Sequence, residues 1–166
     1  MKKFIVDTML GDLARWLRIM GYDVAYSKGY GDQEILESAS LGNRIIITRD
    51  RRLYGKAKKR SLEAILVESI GTAERLAEVA VKARLELRAD PFLSRCPECN
   101  GELSVTEEKE KVRDKVPPQA LRAYKTFYVC TRCGNVYWEG SHWENIRKTI
   151  DLARSIAASH QRKAEK

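Results

Sequence analysis

Four cysteines in two Cys-x-x-Cys pairs constrain this chain more than any other feature of its sequence. The pairs are Cys96–Cys99 and Cys130–Cys133, they contain every cysteine of the 166 residues, and 30 residues separate them. Thiolates on two tight turns can supply the four ligands of a tetrahedral zinc site. Disulfides or redox-active dithiols are the alternative, which we disfavour because nothing else in the sequence indicates a secreted protein. Four cysteines leave no coordination position open, so we expect a structural zinc ion.

The composition is that of a charged, basic protein. Charged residues make up 33% of the chain, and the net charge is +8. No apolar run approaches membrane-spanning length, and the first residues do not have the pattern of a signal peptide. Together with cysteines at metal-binding spacing, these features predict a cytoplasmic protein that does not bind membranes.

Short apolar runs alternate with helical patterns over the first ninety residues. Four apolar runs predict buried strands at residues 4–6, 24–26, 45–47 and 64–67. Apolar residues at helical spacing predict helices at residues 9–20, 32–42, 51–59 and 71–87. Apolar strands that alternate with helices predict an α/β fold, with a mainly parallel four-stranded sheet covered by helices on both faces.

These patterns divide the chain into three parts. Residues 1–90 are expected to form the α/β domain, and residues 91–143 are expected to form a small zinc module. Residues 144–166 are expected to form a C-terminal helix and tail, because Ile146, Ile150, Ala153 and Ile156 recur at helical spacing.

Acidic residues follow the predicted strands at the edge where parallel sheets usually carry their chemistry. Asp7 follows the first strand and Asp50 follows the third. Because the carboxyl ends of parallel strands share one edge, we expect these carboxylates to converge. Asp32 and Glu34 begin the second helix on the same side and would complete an acidic cluster, to which Glu68 is a further candidate. Such a cluster suits Mg²⁺ or Mn²⁺, which would activate water for phosphodiester hydrolysis.

Helix capping is the alternative explanation for three of these acids. Asp7, Asp32 and Asp50 each stand where a predicted helix begins, and aspartate there commonly accepts hydrogen bonds from backbone N–H groups. Two strand-end aspartates on different strands are less easily explained in this way. The pattern alone leaves both roles open.

Basic residues lie near the same acidic edge. Seven lysines and arginines occur between positions 49 and 60, enough to neutralise several phosphates of a nucleic acid. The residues predicted to contact phosphates are Arg15, Arg18, Arg49, Arg51 and Arg52. A solvated helix face is the alternative for the cluster.

Aromatic residues and one histidine accompany the second cysteine pair. Tyr137, Trp138 and Trp143 are able to stack on bases, although aromatic residues of a small metal module more often form its core. We interpret His142 as a packing or hydrogen-bonding residue, since four cysteines already satisfy the metal.

Several enzyme classes are disfavoured by missing motifs. The sequence contains no Gly-x-x-x-x-Gly-Lys-Ser/Thr phosphate loop, and no Gly-x-Gly-x-x-Gly follows the first strand. An aspartyl-phosphate phosphotransferase would need a second aspartate two positions after Asp7, where this chain has Met9.

Six motifs follow one another in a fixed order: DTMLGDLARWLR from residue 7, GYD from 21, TRD from 48, RCPECNG from 95, CTRCG from 130 and YWEGSHW from 137. Together they resemble the Mut7-C family, a PIN-like ribonuclease domain with a C-terminal zinc ribbon. The resemblance covers about residues 3–150. It implies a PIN-like three-layer α/β/α fold in which acidic residues bind Mg²⁺ or Mn²⁺ for RNA cleavage.

The resemblance also implies roles for individual residues. Asp7 resembles the first-strand aspartate of PIN nucleases, and Asp50 resembles their strand-end aspartate after a threonine. Asp32 and Glu34 occupy the region of the middle acidic residue. Related nucleases often carry a further acid after the fourth strand, where this chain has Glu68 and then Ser69.

The sequence therefore predicts a metal-dependent endoribonuclease whose zinc ribbon aids RNA binding. A non-catalytic RNA- or ribosome-binding module with a vestigial acidic site is the alternative. PIN nucleases often dimerise, so a homodimer is one expected assembly.

Overall fold

Four short apolar runs form a parallel sheet in the computed structural model, which describes residues 1–164. The strand order is β2-β1-β3-β4, and every neighbouring pair is parallel. The strands are β1 (Lys3–Val6), β2 (Asp23–Ala25), β3 (Ile45–Thr48) and β4 (Ala64–Leu66). Central strands β1 and β3 are almost wholly buried, which explains why their sequences are continuously apolar.

Helices cover both faces of the sheet, as the sequence predicts. They are α1 (Gly11–Ile19), α2 (Asp32–Gly42), α3 (Arg51–Lys59) and α4 (Thr72–Ala83), and a 3-10 turn (Thr8–Leu10) precedes α1. Ile5 and Ile46 point to the face covered by α2 and α3, whereas Phe4 and Ile47 point to the face covered by α1 and α4. Helix α4 ends four residues before the predicted end, because Arg84 adopts a left-handed conformation with φ of 53°.

The zinc module is a three-stranded antiparallel sheet in the order β5-β6-β7. Its strands are β5 (Leu103–Thr106), β6 (Phe127–Cys130) and β7 (Val136–Tyr137). The connection between β5 and β6 contains a 3-10 turn (Lys109–Lys111) and a short helix, α5 (Pro118–Ala123). A small separate core of Val112, Val116, Ala120 and Phe127 lies under this sheet.

The C-terminal helix returns to the α/β domain. Helix α6 (Ser141–Ala164) begins three residues before the predicted position and packs along α4. Ile150 and Ala153 are fully buried in the larger core of the molecule. Helix α6 is thus part of the α/β layer structure. Within residues 1–164, no helix has the length and apolar character needed to cross a membrane.

The zinc module closes one edge of the parallel sheet. Strand β2 is an edge strand, and its outward Val24 N–H donates to Asn100 Oδ1 at 2.9 Å. The Val24 carbonyl accepts from Nε and Nη2 of Arg18 at 3.0 and 2.9 Å. Asn100 also donates to Asp23 Oδ1 at 2.8 Å. Unpaired backbone groups of an edge strand can form hydrogen bonds with a strand of another chain. Because Asn100 and Arg18 already bond to Val24, its backbone groups are not available for such pairing.

Candidate functional site

The Thr48 hydroxyl connects the two strand-end aspartates. It donates to Asp7 Oδ2 at 2.7 Å and accepts from the Asp50 backbone N–H at 2.9 Å. The Asp7 N–H continues the β1–β3 ladder by donating to the Ile47 carbonyl at 2.9 Å. Thr48 is fully buried and Asp7 is only 7% exposed, so both are fixed by the sheet. The structure therefore places Asp7 and Asp50 around one hydroxyl at the carboxyl edge of adjacent strands.

Asp50 also caps helix α3. Its Oδ1 accepts from the N–H groups of Arg52 at 2.7 Å and Leu53 at 3.4 Å. The bond from Arg52 is the main cause that lowers the pKa of Asp50 below its ordinary value. The capping explanation is thus correct for this residue, but both cap bonds go to Oδ1. Within residues 1–164, the cap does not use Oδ2 of this carboxylate.

Asp32 and Glu34 are held by other contacts. Asp32 Oδ2 accepts from Lys56 Nζ at 2.7 Å, and Glu34 Oε2 accepts from the Gly31 N–H at 2.6 Å, immediately before the first turn of α2. Among residues 1–164, the cysteines are the only group of three or more potential ligands that lies close enough to share an ion. The expected convergence of several carboxylates is therefore not seen in this part of the chain.

Exposed arginines border Asp50. Arg49, Arg51 and Arg52 are all exposed at the start of α3. Arg51 Nη2 donates to Glu68 Oε1 at 2.9 Å, so Glu68 reaches over the first turn of this helix. Both side chains of that pair are exposed to solvent, and such a pair contributes little to stability. These arginines are accessible to a phosphate backbone at the acidic edge.

Arg18 has a structural role, which corrects its assignment as a phosphate contact. The residue is 4% exposed, and its Nη1 donates to the carbonyls of Pro97 at 2.8 Å and Glu98 at 3.0 Å. Together with its bonds to Val24, these contacts join α1 and β2 to the first cysteine turn. Arg15, one turn earlier on α1, is exposed and pairs with Glu98 Oε1 at 2.9 Å.

The four cysteines form the ligand set of a structural zinc site. Their sulfur atoms all lie within 4.8 Å of one another, with 3.7 Å between Cys96 and Cys133 and 3.4 Å between Cys99 and Cys130. Zinc–sulfur bonds of about 2.3 Å in a tetrahedron place sulfurs about 3.8 Å apart, so the spacing fits zinc. The Tyr137 hydroxyl lies 3.1 Å from Cys96 Sγ, which orients this ligand.

Backbone N–H groups support the second cysteine turn. Cys130 Sγ accepts from the N–H groups of Arg132 and Cys133, both at 3.4 Å. Burial opposes ionisation of Cys130, but these backbone hydrogen bonds lower the pKa of its thiol. Gly134 follows with φ of 72°, a conformation that favours glycine. These two backbone hydrogen bonds therefore favour the thiolate of Cys130, the form of cysteine that binds zinc.

Glu78 fixes the loop after β4, and the sequence analysis missed it. It lies on α4, is 8% exposed, and accepts from the N–H groups of Glu68 at 3.1 Å and Ser69 at 2.9 Å. Lys82 Nζ donates to it at 2.6 Å. A glutamate four residues before a lysine resembles an ordinary exposed helix pair, so the sequence signal was present but ambiguous.

Replacement of Glu78 by glutamine is expected to destabilise the fold in a pH-dependent way. Burial alone would raise the pKa of Glu78, but the bonds from Lys82, Ser69 and Glu68 lower it to about 2. The carboxylate therefore stabilises the fold above the ordinary pKa of glutamate, and this stability is lost as the pH falls from about 4.5 towards 2. We expect Glu78→Gln to reduce the free energy of unfolding by about 2–3 kcal/mol at pH 7.

Urea unfolding at several pH values measures this effect. The difference between Glu78→Gln and the wild type should shrink as the pH is lowered through this range. Glu63→Gln, at an exposed position, is the matched control and should change the free energy of unfolding by less than about 0.5 kcal/mol. A Glu78→Gln penalty that persists undiminished at pH 3 would contradict the assigned role.

The family comparison agrees with these features of the fold. The family model of the Mut7-C RNAse domain matches residues 2–150, from the first strand through the zinc module into α6. Neither the curated proteins nor the solved structures contain a match to this chain. The match covers both the parallel sheet and the four cysteines, and the chain therefore belongs to the Mut7-C family of ribonuclease domains.

Proposed function

We propose that this protein is a metal-dependent endoribonuclease that cleaves RNA at the edge formed by Asp7 and Asp50. The observation that carries the proposal is the Thr48 hydroxyl, which bonds to both residues and fixes them at the ends of adjacent strands. Membership of a ribonuclease family supports this proposal at the level of reaction class. The metal and the mode of cleavage are our inference.

The acidic edge has the donor chemistry for a hard divalent cation. Asp7 and Asp50 would hold Mg²⁺ or Mn²⁺, which activates water and offsets negative charge on the phosphate when bound. Thr48 orients Asp7 through its hydrogen bond, and the start of α3 positions Asp50. A buried carboxylate fixed in this way is preorganised for the ion.

Asp32 is the better candidate for a third ligand. Glu34 accepts from the backbone N–H of Gly31, and the loss of that bond would weaken the start of α2. Among residues 1–164, the side chain of Asp32 is held by an exposed ion pair with Lys56, which contributes little to stability. Asp32 is therefore easier to recruit when metal and substrate bind.

Basic side chains beside this edge favour a polyanionic substrate. Arg49, Arg51 and Arg52 are exposed next to Asp50, and Arg15 is exposed on α1. The chain carries a net charge of +8, which attracts RNA and makes binding weaken as salt increases. We assign these arginines to the phosphate backbone and the zinc module to additional contacts with RNA.

One observation favours a second candidate function, a non-catalytic RNA- or ribosome-binding module. Asp7, Asp32, Glu34 and Asp50 each accept a hydrogen bond from another group of the protein. A carboxylate satisfied in this way does not need a metal for its stability. A vestigial site would keep the arginine surface and bind RNA without cleaving it.

A cleavage assay with and without divalent ions separates these functions. Purified protein is incubated with end-labelled single-stranded and structured RNA in chelator-free buffer, with Mg²⁺, with Mn²⁺ or with neither ion. We expect cuts within the RNA only when an ion is added. Chelators are avoided because they also remove structural zinc.

The control substrates decide how the result is interpreted. DNA of the same sequence tests whether the site requires RNA, and it should remain uncut. Salt-dependent binding to RNA that stays intact under every ion condition would favour the binding module. Equal cleavage with and without added ions would contradict a metal-dependent site.

A further inference from the structure

A cavity of about 330 Å³ lies between helix α1, the zinc module and the first turns of α6, away from the Asp7 edge. Five aromatic side chains line it: Tyr128, Tyr137, Trp138, His142 and Trp143. Its volume is near the lower end of cavities that bind small ligands, so it suits a single ring system better than an extended chain. None of these aromatic residues is part of the acidic edge described above, although the Tyr137 hydroxyl also contacts Cys96 Sγ of the zinc site.

The aromatic rings provide flat surfaces. Trp138 is half-buried and His142 is exposed, and their rings meet edge to face with centroids 6.4 Å apart. Trp143 is 7% exposed, and among residues 1–164 its indole Nε1–H is buried without a hydrogen-bond partner. The Trp138 side chain packs against the small core of the zinc module, and this contact holds its ring in place. Ordered aromatic rings of this kind stack on bases in single-stranded nucleic acid.

Cationic side chains complete the cavity. Arg15 and Arg95 line it together with the aromatic rings, and the Arg15 side chain is 60% exposed. One carboxylate, that of Glu139, also lines the cavity and accepts from Tyr128 and Arg147. Two guanidinium groups against this single carboxylate, on a protein of net charge +8, favour an anionic ligand over a lipid or an apolar peptide. The aromatic rings could therefore contact a nucleobase, and the arginines could contact the adjacent phosphate.

The position of Arg15 relates the cavity to the acidic edge. Arg15 lies four residues after Gly11, or about 6 Å along the axis of α1, and Gly11 follows Asp7 by four residues. Ile19, one turn further along the same helix face, also lines the cavity. Helix α1 thus runs from the acidic edge to the aromatic cavity.

We propose that this cavity binds one unstacked base of single-stranded RNA and that Arg15 contacts the neighbouring phosphate. The inference rests on the proposed ribonuclease function and adds to it the form of the substrate. RNA within a regular duplex cannot present an unstacked base. We therefore expect the protein to bind loops, bulges and single-stranded ends of RNA.

Binding of short oligonucleotides to the Asp7→Asn protein tests the proposal without cleavage. The probes are an RNA tetranucleotide and an abasic tetranucleotide with the same phosphates, in buffer without added divalent ions. We expect the RNA to bind roughly tenfold more tightly and to quench tryptophan fluorescence, because the stacked base is missing from the abasic probe. Two of the three tryptophans, Trp138 and Trp143, line the cavity.

Two variants assign the effect to the cavity. Trp138→Leu should remove the preference for the RNA probe, whereas Trp138→Phe, which retains a flat ring, should keep most of it. Because Trp138 also packs on the core of the zinc module, the exposed His142→Ala variant provides an independent test that does not risk misfolding. This variant should reduce the preference several-fold.

Equal affinity for the two probes would overturn the proposal, as would a preference that both Trp138→Leu and His142→Ala leave unchanged. These outcomes are separate from those of the cleavage assay. RNA cleavage together with equal affinity for the RNA and abasic probes would contradict only the cavity proposal. Tighter binding of the RNA probe without any RNA cleavage would contradict only the nuclease proposal.

Discussion

Asp7→Asn is expected to lower the rate of RNA cleavage by roughly 100-fold or more, because it removes a carboxylate from the proposed metal site. Asparagine has the same size and can still accept the hydrogen bond from Thr48, so the strand ends should keep their positions. Single-turnover cleavage with saturating Mn²⁺ measures the effect on the chemical step.

Asp12→Asn is the matched control for the loss of one negative charge. Asp12 lies on α1, its side chain is 49% exposed, and it pairs with Arg75. Its replacement should leave the cleavage rate within about twofold of the wild type. The Asp7→Asn protein should still bind RNA, since the arginines are unchanged. Wild-type cleavage by Asp7→Asn would show that this edge of the sheet is not the catalytic site.

Loss of zinc is expected to unfold the zinc module. Apparent zinc-binding energies of structural sites are of the order of 10 kcal/mol, comparable to the whole stability of a small domain. The separate apolar core of the module is a cluster of four buried residues, which is too small to replace that energy. Cys130→Ser should therefore lose bound zinc and the near-ultraviolet circular dichroism of Trp138 and Trp143. Elemental analysis and circular dichroism measure the two effects.

The same substitution should also lower the melting temperature of the α/β domain. Arg18 would lose its partners Pro97 and Glu98, and β2 would lose Asn100. His142→Ala is the control, because this exposed residue is not part of the cysteine cluster and its replacement should leave zinc content unchanged. Stoichiometric zinc and a native spectrum in Cys130→Ser would contradict a four-cysteine site.

Local patterns were sufficient to predict the parallel sheet. Ile45–Thr48 is a central strand buried on both faces, and such a strand must be apolar throughout, which makes it visible in the sequence. The predicted bounds of α3, Arg51–Lys59, agree with the structure because Asp50 provides a strong N-terminal signal. The four cysteines were equally clear, since zinc ligands recur at fixed spacing.

The contacts of charged side chains could not be predicted in the same way. Arg18 occupies a position on α1 that suits a surface residue, and only the cysteine turn some eighty residues later encloses it. Asp32 seemed suited to an acidic cluster, but Lys56 from the neighbouring helix binds it. Glu78 is buried because the loop after β4 folds onto it. Each case depends on a partner in another element or loop, which the periodicity of one helix does not specify.

The closure of the β2 edge has a consequence for how the chain folds during synthesis. When the first ninety residues have left the ribosome, Val24 has no Asn100 to bond with and Arg18 has no carbonyls from the cysteine turn. The larger core also lacks Ile150 until α6 has been made. The nascent α/β domain therefore carries an unpaired strand edge until the zinc module has been synthesised and has folded against it.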